Sequence, residues 1–392
     1  MRVGFSGHRL VAALGVVQIF AWGSTYYLLA VLADPIMRET GWSRLMVMAG
    51  LSMGLLVAGL AAMRTGRLIQ HHGGRPVMAG AMGLLALGLT VLATAANQTV
   101  YLLAWSLLGL AMGAGLYDAA FSTLARIHGI GARRAITQLT LWGGFASTVC
   151  WPLSALLVEW LGWRGACLAY AALHLLVTLP LCLFAIPRLQ PVETDVLTRP
   201  QRIAQPDSAF WILAIGGTTL SLLATILSVH LLSILQAKGL SVAAAVAIGA
   251  VIGPSQVGAR LIEMMFGARF HPVWTMLGAT SLIAVGIAGL TTGLPAALLL
   301  LACGAGNGIW SIARGALPLV LFGPDAYAVV MGRLAAPALL AAAVAPVLGA
   351  AMIDRLGPVH TMQVLAGLAL VPVGSALILV RDVAWRQPVR PT

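Results

Sequence analysis

Long apolar stretches separated by short polar segments run through the whole chain, and this alternation predicts membrane spans. A segment of ~20 predominantly apolar residues is long enough to cross a bilayer as a helix. Twelve segments of the sequence satisfy this condition. They are residues 10–33, 44–63, 77–96, 99–121, 135–158, 165–186, 210–235, 242–262, 272–291, 295–313, 327–352 and 359–380. The predicted fold class is therefore an all-α membrane protein with twelve transmembrane helices.

The composition supports this prediction and excludes two other classes of protein. Hydrophobic residues make up 60% of the chain and charged residues only 9%, against about 25% charged in ordinary soluble domains. So few charged groups cannot cover a soluble protein of 392 residues. The formal net charge is +12, but the basic residues form no dense stripe of the kind that binds nucleic acid. The expected partner of this surface is the lipid bilayer, and no nucleic acid is expected.

The positions of the basic residues predict how the chain is oriented. With the N-terminus inside, 17 of the 23 Lys and Arg residues fall in cytoplasmic segments and five in outer loops. Cytoplasmic loops carry the excess of Lys and Arg in membrane proteins. The first apolar stretch is too long for the core of a signal peptide, so it is interpreted as a retained span. We expect a multi-pass protein of the bacterial inner membrane with both termini in the cytoplasm.

A polar linker and an internal repeat divide the chain into two halves. Residues 187–209 form the linker, between an N-terminal bundle at 1–186 and a C-terminal bundle at 210–392. Residues 66–70, 113–117 and 158–162 recur at a nearly constant offset as residues 259–263, 306–310 and 353–357. Three matches at equivalent places in the two halves indicate an internal duplication. The predicted architecture is two pseudo-symmetric six-helix bundles.

The loop between the second and third spans carries a family resemblance. Residues 66–76 read GRLIQHHGGRP, with Gly66, Leu68, Gly73 and Arg75 at fixed spacing and Gln70 between them. This order resembles the signature loop of the major facilitator superfamily of secondary transporters, in which an acid stands at the position of Gln70. Parallel six-span repeats are also the arrangement of that family. The resemblance implies the major facilitator fold and transport by alternating access.

Three shorter motifs resemble one branch of the family, the bacterial oxalate/formate antiporters and the monocarboxylate transporters. They are Gln18-x-x-x-Trp22-Gly23-x-x-Tyr26-Tyr27 in the first span, Gly41-Trp42-Ser43 after it, and Gly162-Trp163-Arg164 after the fifth. This resemblance implies a small, anionic, monocarboxylate-like substrate with H⁺ as the coupling ion.

The same resemblance implies that spans 1, 4, 7 and 10 line a central cavity. In span 1, Gln18, Trp22 and Tyr26 share one helical face. Lipid disfavours a glutamine, so this face is expected to line the cavity, with helix–helix packing as the alternative. The predicted substrate-binding residues are Gln18, Trp22, Tyr26, Tyr117, Asn307, Trp310 and Arg333.

Three of the ionisable residues within predicted spans are candidates for a functional role. Asp118 is the one acid embedded in a span, and it is a candidate for proton coupling or for a structural pair with Arg126. Arg333 lies inside span 11, where it can bind an anion, form a gate with Asp118 or clamp two helices. His174 of span 6 is interpreted as a hydrogen-bonded buried histidine, with a proton relay as the alternative.

The loop glycines and their neighbours are predicted to form a conformational latch. Glycine permits tight turns and close approach, and an arginine can bond helix C-terminal carbonyls or an acid. The predicted gating residues are Gly66, Gly73, Arg75, Arg260 and Glu263.

These observations favour a proton-linked secondary transporter of a small organic anion. Export of drug-like or metalloid (arsenical) solutes is the first alternative. A non-transporting membrane receptor or assembly factor on the same scaffold is the second. The sequence contains no nucleophile elbow, phosphate loop or paired catalytic carboxylates, so no enzyme activity is expected. No cofactor or metal site is expected, and the protein is predicted to be a monomer.

Overall fold

The structure, a computed structural model, describes residues 7–189 and 208–386. These residues are helical and contain no strand, which confirms the predicted all-α class. The predicted linker at 187–209 lies largely outside the described residues, as do the two ends of the chain.

The first described stretch begins with helices that correspond to the first four predicted spans. They are α1 (Gly7–Gly23), α2 (Leu29–Thr40), α3 (Arg44–His72), α4 (Gly74–Ala93), α5 (Gln98–Gly115) and α6 (Tyr117–His128). The stretch continues through α7 (Ala132–Gly144), α8 (Ala146–Leu173), a π-helical segment (His174–Thr178) and α9 (Leu179–Ala185).

The second described stretch follows the same pattern of long apolar helices. It contains α10 (Ser208–Ala237), α11 (Val242–Gly249), α12 (Ile252–Phe266), α13 (Pro272–Gly289), α14 (Ala296–Leu368) and α15 (Leu370–Arg386).

Six helical stretches of the described chain are long and apolar enough to cross a membrane. Two of them, Gln98–Ala185 and Ala296–Asp382, extend over 88 and 87 residues. Each exceeds the ~20 residues that one crossing needs, so each holds more than one span. Turns within them coincide with glycines at positive φ, Gly162 at 70°, Gly323 at 74° and Gly357 at 78°. The number of twelve spans stays a prediction.

Several predicted spans are interrupted, which the apolar pattern did not indicate. Spans 5, 8 and 12 are interrupted between α7 and α8, between α11 and α12 and between α14 and α15. The interruptions of spans 1 and 4 adjoin predicted substrate-binding residues. Span 1 is interrupted between Gly23 and Leu29, and span 4 at Leu116, whose backbone is extended. A broken helix is tolerated in a membrane only where the freed backbone groups find new partners. In the first break the N–H of Tyr27 donates to the carbonyl of Trp22 at 3.1 Å. In the second, the carbonyl of Gly115 accepts a hydrogen bond from Gln18 Nε2 at 2.8 Å.

Glycines set the distance between packed helices, as they do in membrane proteins generally. A Cβ on Gly109 of α5 would overlap the carbonyl oxygen of Gly54 of α3 and lie 2.9 Å from the Gly54 Cα. On another face of α3, a Cβ on Gly66 would collide with the carbonyl of Ala328. A Cβ on Gly332 would lie 2.5 Å from the carbonyl oxygen of Ala62. The region of α14 after Gly323 therefore packs closely on α3.

The chain forms two compact units. The first comprises Met1–Gln201 together with Phe322–Ala343, and the second Arg202–Leu321 together with Val344–Thr392. These units differ from the predicted bundles at 1–186 and 210–392 in the segment 322–343, which belongs with the first unit because of its close contact with α3. The predicted domain boundaries stay a prediction.

The Gly-Trp-Arg motif after the fifth span joins several helix ends of the first unit. Glu39 at the end of α2 accepts hydrogen bonds from Trp163 Nε1 at 2.6 Å and from Arg164 Nε at 2.9 Å. Arg164 also donates through Nη1 to the carbonyl of Ala93, the last residue of α4, at 2.7 Å. The motif thus ties together the ends of α2 and α4 and the turn at Gly162.

We expect the substitution Gly109→Ala to destabilise the first unit. The added methyl has no room against the backbone of Gly54, and overpacking of this kind costs about 1–3 kcal/mol. Gly83→Ala is the matched control, because a Cβ at Gly83 of α4 meets nothing within 4 Å. Thermal unfolding of the two purified variants in detergent measures the difference. Equal melting temperatures would contradict the close approach of α3 and α5.

Candidate functional site

Aromatic side chains gather where α1 ends and α6 begins. The ring of Trp22 lies 5.5 Å from that of Tyr26 and 5.2 Å from that of Tyr117, between centroids. Tyr117 stacks on Phe121 at 5.1 Å with an interplanar angle of 12°. Edge-to-face and offset contacts of this kind stabilise aromatic pairs. The structure therefore brings together three of the predicted substrate-binding residues: Trp22, Tyr26 and Tyr117.

Gln18 lies one helical turn before Trp22 and is fully buried. Its Nε2 donates to the carbonyl of Gly115, and this contact fixes the orientation of the amide. If the amide were turned over, Oε1 would face the Gly115 carbonyl, and two acceptors cannot hydrogen-bond. The Oε1 atom is left without a hydrogen-bond partner among the described residues.

Among the described residues, the indole nitrogen of Trp22 is a donor that lacks an acceptor, whereas Gln18 Oε1 is an acceptor that lacks a donor. Trp22 Nε1 is buried and donates no hydrogen bond to any group that the structure describes. A buried polar group without a partner costs about 1–3 kcal/mol, so native structures seldom keep one without a reason. Gln18 Oε1, an acceptor, and Trp22 Nε1, a donor, thus both lack a hydrogen-bond partner in the described part of the chain. The two residues are four positions apart on α1, beside the break in span 4.

A buried polar network holds the break in span 1. Ser24 Oγ lies 2.7 Å from His174 Nε2, and His174 Nδ1 lies 2.8 Å from Thr178 Oγ1. All three side chains are fully buried. His174 begins the π-helical segment, an irregularity that often occurs at functional places in helices. The imidazole has a hydroxyl at each nitrogen, which is the arrangement expected for a hydrogen-bonded buried histidine.

Asp118 lies in the first turn of α6, directly after the break in span 4, and is partly buried. The N-terminus of a helix interacts favourably with an acidic side chain. Arg126, eight residues later, donates through Nη1 to the carbonyl of Ile69 at 2.8 Å. Arg126 therefore bonds one of the last carbonyls of α3.

The signature loop of the first unit makes a contact that uses Gln70 in place of an acid. Gln70 Nε2 donates to the carbonyl of Asp325 at 2.6 Å, at the start of the segment that packs on α3. Gly73 has a φ of 81°, which favours glycine at this turn. Arg75 makes no hydrogen bond or ion pair with the described residues. Contacts of the kind predicted for Arg75 are thus made by Gln70 and Arg126.

Arg260 of the second unit is buried, with 6% of its surface exposed. Its Nε donates to the carbonyl of Gly308 at 3.3 Å and to Ser311 Oγ at 3.0 Å. Its Nη1 has no partner among the described residues, and neither of the ion pairs that the structure describes includes Arg260. A guanidinium is always charged. The second unit therefore holds a buried positive charge that forms no ion pair with any carboxylate of the described residues.

The burial of Arg260 could not be read from the repeat. Its equivalent in the first half is Arg67, which is exposed on α3. In the second unit α12 approaches α14 at two glycines, where a Cβ on Gly304 would collide with Ser255 Oγ and one on Gly308 with the backbone of Gln256. A similar close approach of α3 and α5 in the first unit leaves Arg67 exposed, so glycine spacing does not reveal which arginine is buried.

The other predicted residues of the second unit lie near this place in α14. Asn307 and Trp310 are partly buried, and a Cβ on Gly217 of α10 would lie 3.5 Å from the ring of Trp310. Glu263, the predicted gating acid, accepts a hydrogen bond from Thr275 Oγ1 at 2.8 Å. Asn307 and Trp310 lie on either side of Gly308 in the sequence of α14, and the carbonyl of Gly308 is the one that Arg260 contacts.

Arg333 is exposed on α14, in the segment that packs with the first unit. It lies ten residues beyond the turn at Gly323, roughly 15 Å along the helix. Among the described residues it makes no hydrogen bond or ion pair, with Asp118 or with any other group. The clamp between Asp118 and Arg333 is therefore not formed in this conformation.

The described residues contain no group of three or more His, Cys, Asp or Glu side chains placed to hold a metal ion. Cys150 and Cys303 are buried, and their Sγ atoms donate to the carbonyls of Ile19 at 3.5 Å and Ile283 at 3.9 Å.

Comparison with known proteins places these features in a family. The sequence profile of the Major Facilitator Superfamily matches residues 14–332. A search of curated protein sequences gives no match.

Several solved structures are similar over nearly the whole chain. The human organic anion transporter MFSD10 (TETRAN) has a TM-score of 0.78 and 18% sequence identity, covering 95% of this chain and 99% of its own. FucP in the outward conformation has a TM-score of 0.71 and 12% identity, with coverages of 94% and 98%. The proton:xylose symporter XylE has a TM-score of 0.69 and 12% identity, with coverages of 96% and 95%. At these identities the likeness establishes the fold alone.

The profile match covers most of the chain and agrees with the apolar helices, the internal repeat and the signature loop. The protein is a multi-pass membrane protein that belongs to the Major Facilitator Superfamily.

Proposed function

We propose that the protein is a proton-linked secondary transporter of a small, monocarboxylate-like organic anion that works by alternating access. The observation that carries this proposal is the buried guanidinium of Arg260, which contacts a carbonyl and a hydroxyl but no carboxylate. Burying an ion without a counter-ion costs several kcal/mol. A substrate anion that reaches Nη1 would supply the missing charge.

The chemistry of the group suits an oxyanion. The guanidinium presents its donors in a planar fork that matches a carboxylate. Ser311 and the Gly308 carbonyl both bond Nε, which leaves the Nη1 side of the fork for a ligand. Asn307 and Trp310 are proposed to complete the binding site in the second unit. Arg333, exposed on α14, stays a candidate for a second anion-binding residue.

The similar structures support the proposal by analogy, because the substrate of one and the coupling ion of two are of the proposed kinds. One of them is described as an organic anion transporter and two as proton symporters, for fucose and for xylose. We infer by analogy that the coupling ion here is H⁺ and that the protein belongs to the branch of oxalate/formate antiporters and monocarboxylate transporters. We also propose that it acts as a monomer in a bacterial inner membrane with both termini in the cytoplasm.

Asp118 is the proposed proton-coupling group. It follows the break in span 4 and lies next in sequence to Tyr117, whose ring contacts Trp22. A carboxylate at this position can take up and release a proton as its access to water changes, because burial and exposure favour different protonation states. Gly66, Gly73, Arg75, Arg260 and Glu263 stay proposed as gating residues, with Gln70 and Arg126 added by their contacts.

The two alternatives are weaker on specific grounds. A receptor that never opens would favour a permanent pair between Asp118 and Arg333, and that pair is not formed among the described residues. Export of arsenicals would favour clustered thiols, whereas the described residues contain no group of three or more His, Cys, Asp or Glu side chains placed to hold a metal ion. Export of a flat aromatic solute is compatible with the cluster of Trp22, Tyr26 and Tyr117 and is an outcome that transport assays distinguish.

We expect Arg260→Gln to weaken binding of a transported carboxylate about 100-fold, because a hydrogen bond to a charged group contributes about 1.5–3 kcal/mol. Arg260→Lys is not expected to restore binding, because an ammonium lacks the planar fork. The measurement is the thermal shift that a panel of mono- and dicarboxylates produces in the purified full-length protein.

Arg67→Gln is the matched control, since Arg67 is the repeat equivalent of Arg260 and is exposed. It should bind carboxylates as the wild type does. The melting temperature of Arg260→Gln without ligand should not fall, because the substitution removes an uncompensated buried charge. Unchanged carboxylate binding in Arg260→Gln would contradict the proposal.

We expect Asp118→Asn to separate exchange from coupling. Asparagine cannot carry the proton, so counterflow of labelled substrate should persist while accumulation driven by an imposed pH gradient is lost. Proteoliposome uptake with and without the gradient measures both properties. Asp354→Asn, at an exposed position of α14, is the control and should retain pH-driven accumulation. If Asp118→Asn still accumulates substrate when the pH gradient is imposed, the proposed role of Asp118 in proton coupling is wrong.

A further inference from the structure

The two unpartnered groups of α1 lie beside the same break and differ in chemical character. Gln18 Oε1 can only accept a hydrogen bond and Trp22 Nε1 can only donate one. Gln18 reaches Gly115, the last residue of α5, and Trp22 contacts Tyr117, the first residue of α6. Both side chains therefore face the break in span 4, where the described residues provide no group that satisfies either atom.

We infer that this pair is a subsite for a hydroxyl group of the transported solute. A single hydroxyl satisfies both atoms, because its O–H donates to Gln18 Oε1 while its lone pair accepts from Trp22 Nε1. The inference rests on the proposed transport function and narrows it, since it assigns the solute a hydroxyl in addition to any anionic group. If the solute is an anion, it is a hydroxylated carboxylate.

Charged groups and carboxylic acids fit the pair less well. A carboxylate has only acceptors, so it would bond Trp22 and be repelled by Gln18 Oε1. An ammonium has only donors, so it would bond Gln18 and leave the Trp22 N–H without a partner. A protonated carboxylic acid offers both functions but is scarce near neutral pH, because the unperturbed pKa of a carboxyl group is about 4.

The surroundings give this subsite its rigidity. The amide of Gln18 is held by the Gly115 carbonyl, and the indole of Trp22 is packed against Tyr26 and Tyr117. Ser24, at the break that follows α1, is held by His174. A site whose polar groups are fixed in advance rejects an analogue that lacks the matching hydroxyl, because the buried partners are then left unpaired.

The unpartnered indole nitrogen of Trp105 provides a contrast within the same unit. Trp105 is fully buried, whereas Trp22 is partly buried, and Trp105 Nε1 likewise makes no hydrogen bond with a described residue. A Cβ on Gly50 would overlap the Trp105 indole, including Nε1, so α3 leaves no room there for a ligand. An unpaired indole N–H alone does not indicate a ligand. At Trp22 it does, because the unpaired acceptor Gln18 Oε1 lies on the same helical face.

The experiment compares pairs of solutes that differ by one hydroxyl in their binding to the full-length protein. The probes are 2-hydroxypropanoate against propanoate, hydroxysuccinate against succinate, and neutral polyols against their deoxy analogues. Apparent affinity is measured by the thermal shift that each solute produces and by how strongly each solute inhibits counterflow of a labelled substrate. We expect the hydroxylated member of a bound pair to bind about 10–100-fold more tightly. Trp22→Phe, which removes the N–H and keeps the ring, should reduce this preference about tenfold.

The control Trp105→Phe also removes a buried indole N–H and should leave the hydroxyl preference at its wild-type value. Gln18→Met is a second variant, and it should reduce the preference if it folds. If bound carboxylates show no hydroxyl preference and Trp22→Phe behaves as wild type, a buried water occupies the pair and the inference is overturned, while the anion proposal stands. If only neutral hydroxylated solutes bind, the inference stands and the anion proposal falls.

Discussion

The structure depends on the requirement that backbone polar groups within a bilayer find partners inside the protein. Unbroken helices meet this requirement by themselves, and most of the apolar segments do so. At the breaks in spans 1 and 4 the helical hydrogen bonds are interrupted, and specific groups supply the missing partners. Gln18 bonds the carbonyl of Gly115, and the segment after Gly23 is held by its own amides and by the Ser24–His174 contact. The candidate substrate residues of the first unit lie at these two breaks.

The same requirement makes uncompensated polar groups informative. Gln18 Oε1 and Trp22 Nε1 in the first unit, and Arg260 Nη1 in the second, are buried without partners among the described residues. A transporter must bind a polar solute and release it again, and a solute that pairs with these groups offsets the free energy that their burial costs. Each unit thus carries its own reason to bind a solute, a neutral donor–acceptor pair in one and a positive charge in the other.

Much of the architecture could be predicted because apolar length, charge asymmetry and an internal repeat are properties of the chain itself. The face shared by Gln18, Trp22 and Tyr26 followed from helical spacing, and the aromatic contacts agree with it. The breaks could not be predicted, because Leu116 is as apolar as its neighbours and only tertiary contacts make an extended residue tolerable there. The different environments of Arg67 and Arg260 also depend on tertiary packing, since the repeat makes the two arginines equivalent in sequence. Arg333 was expected to meet a partner, yet it is exposed, because Gly332 and not Arg333 faces α3.

The central claim is that the protein carries a small organic anion across the membrane. Counterflow in proteoliposomes of the wild-type protein tests it most directly, with labelled mono- and dicarboxylates in one arm and cationic drugs and arsenicals in the other. Counterflow requires binding and alternating access but no coupling ion, so its outcome does not depend on Asp118. We expect saturable exchange of at least one carboxylate, and we expect no exchange of the cationic drugs or the arsenicals. Exchange of a cationic drug or an arsenical, with no carboxylate moved, would contradict the central claim.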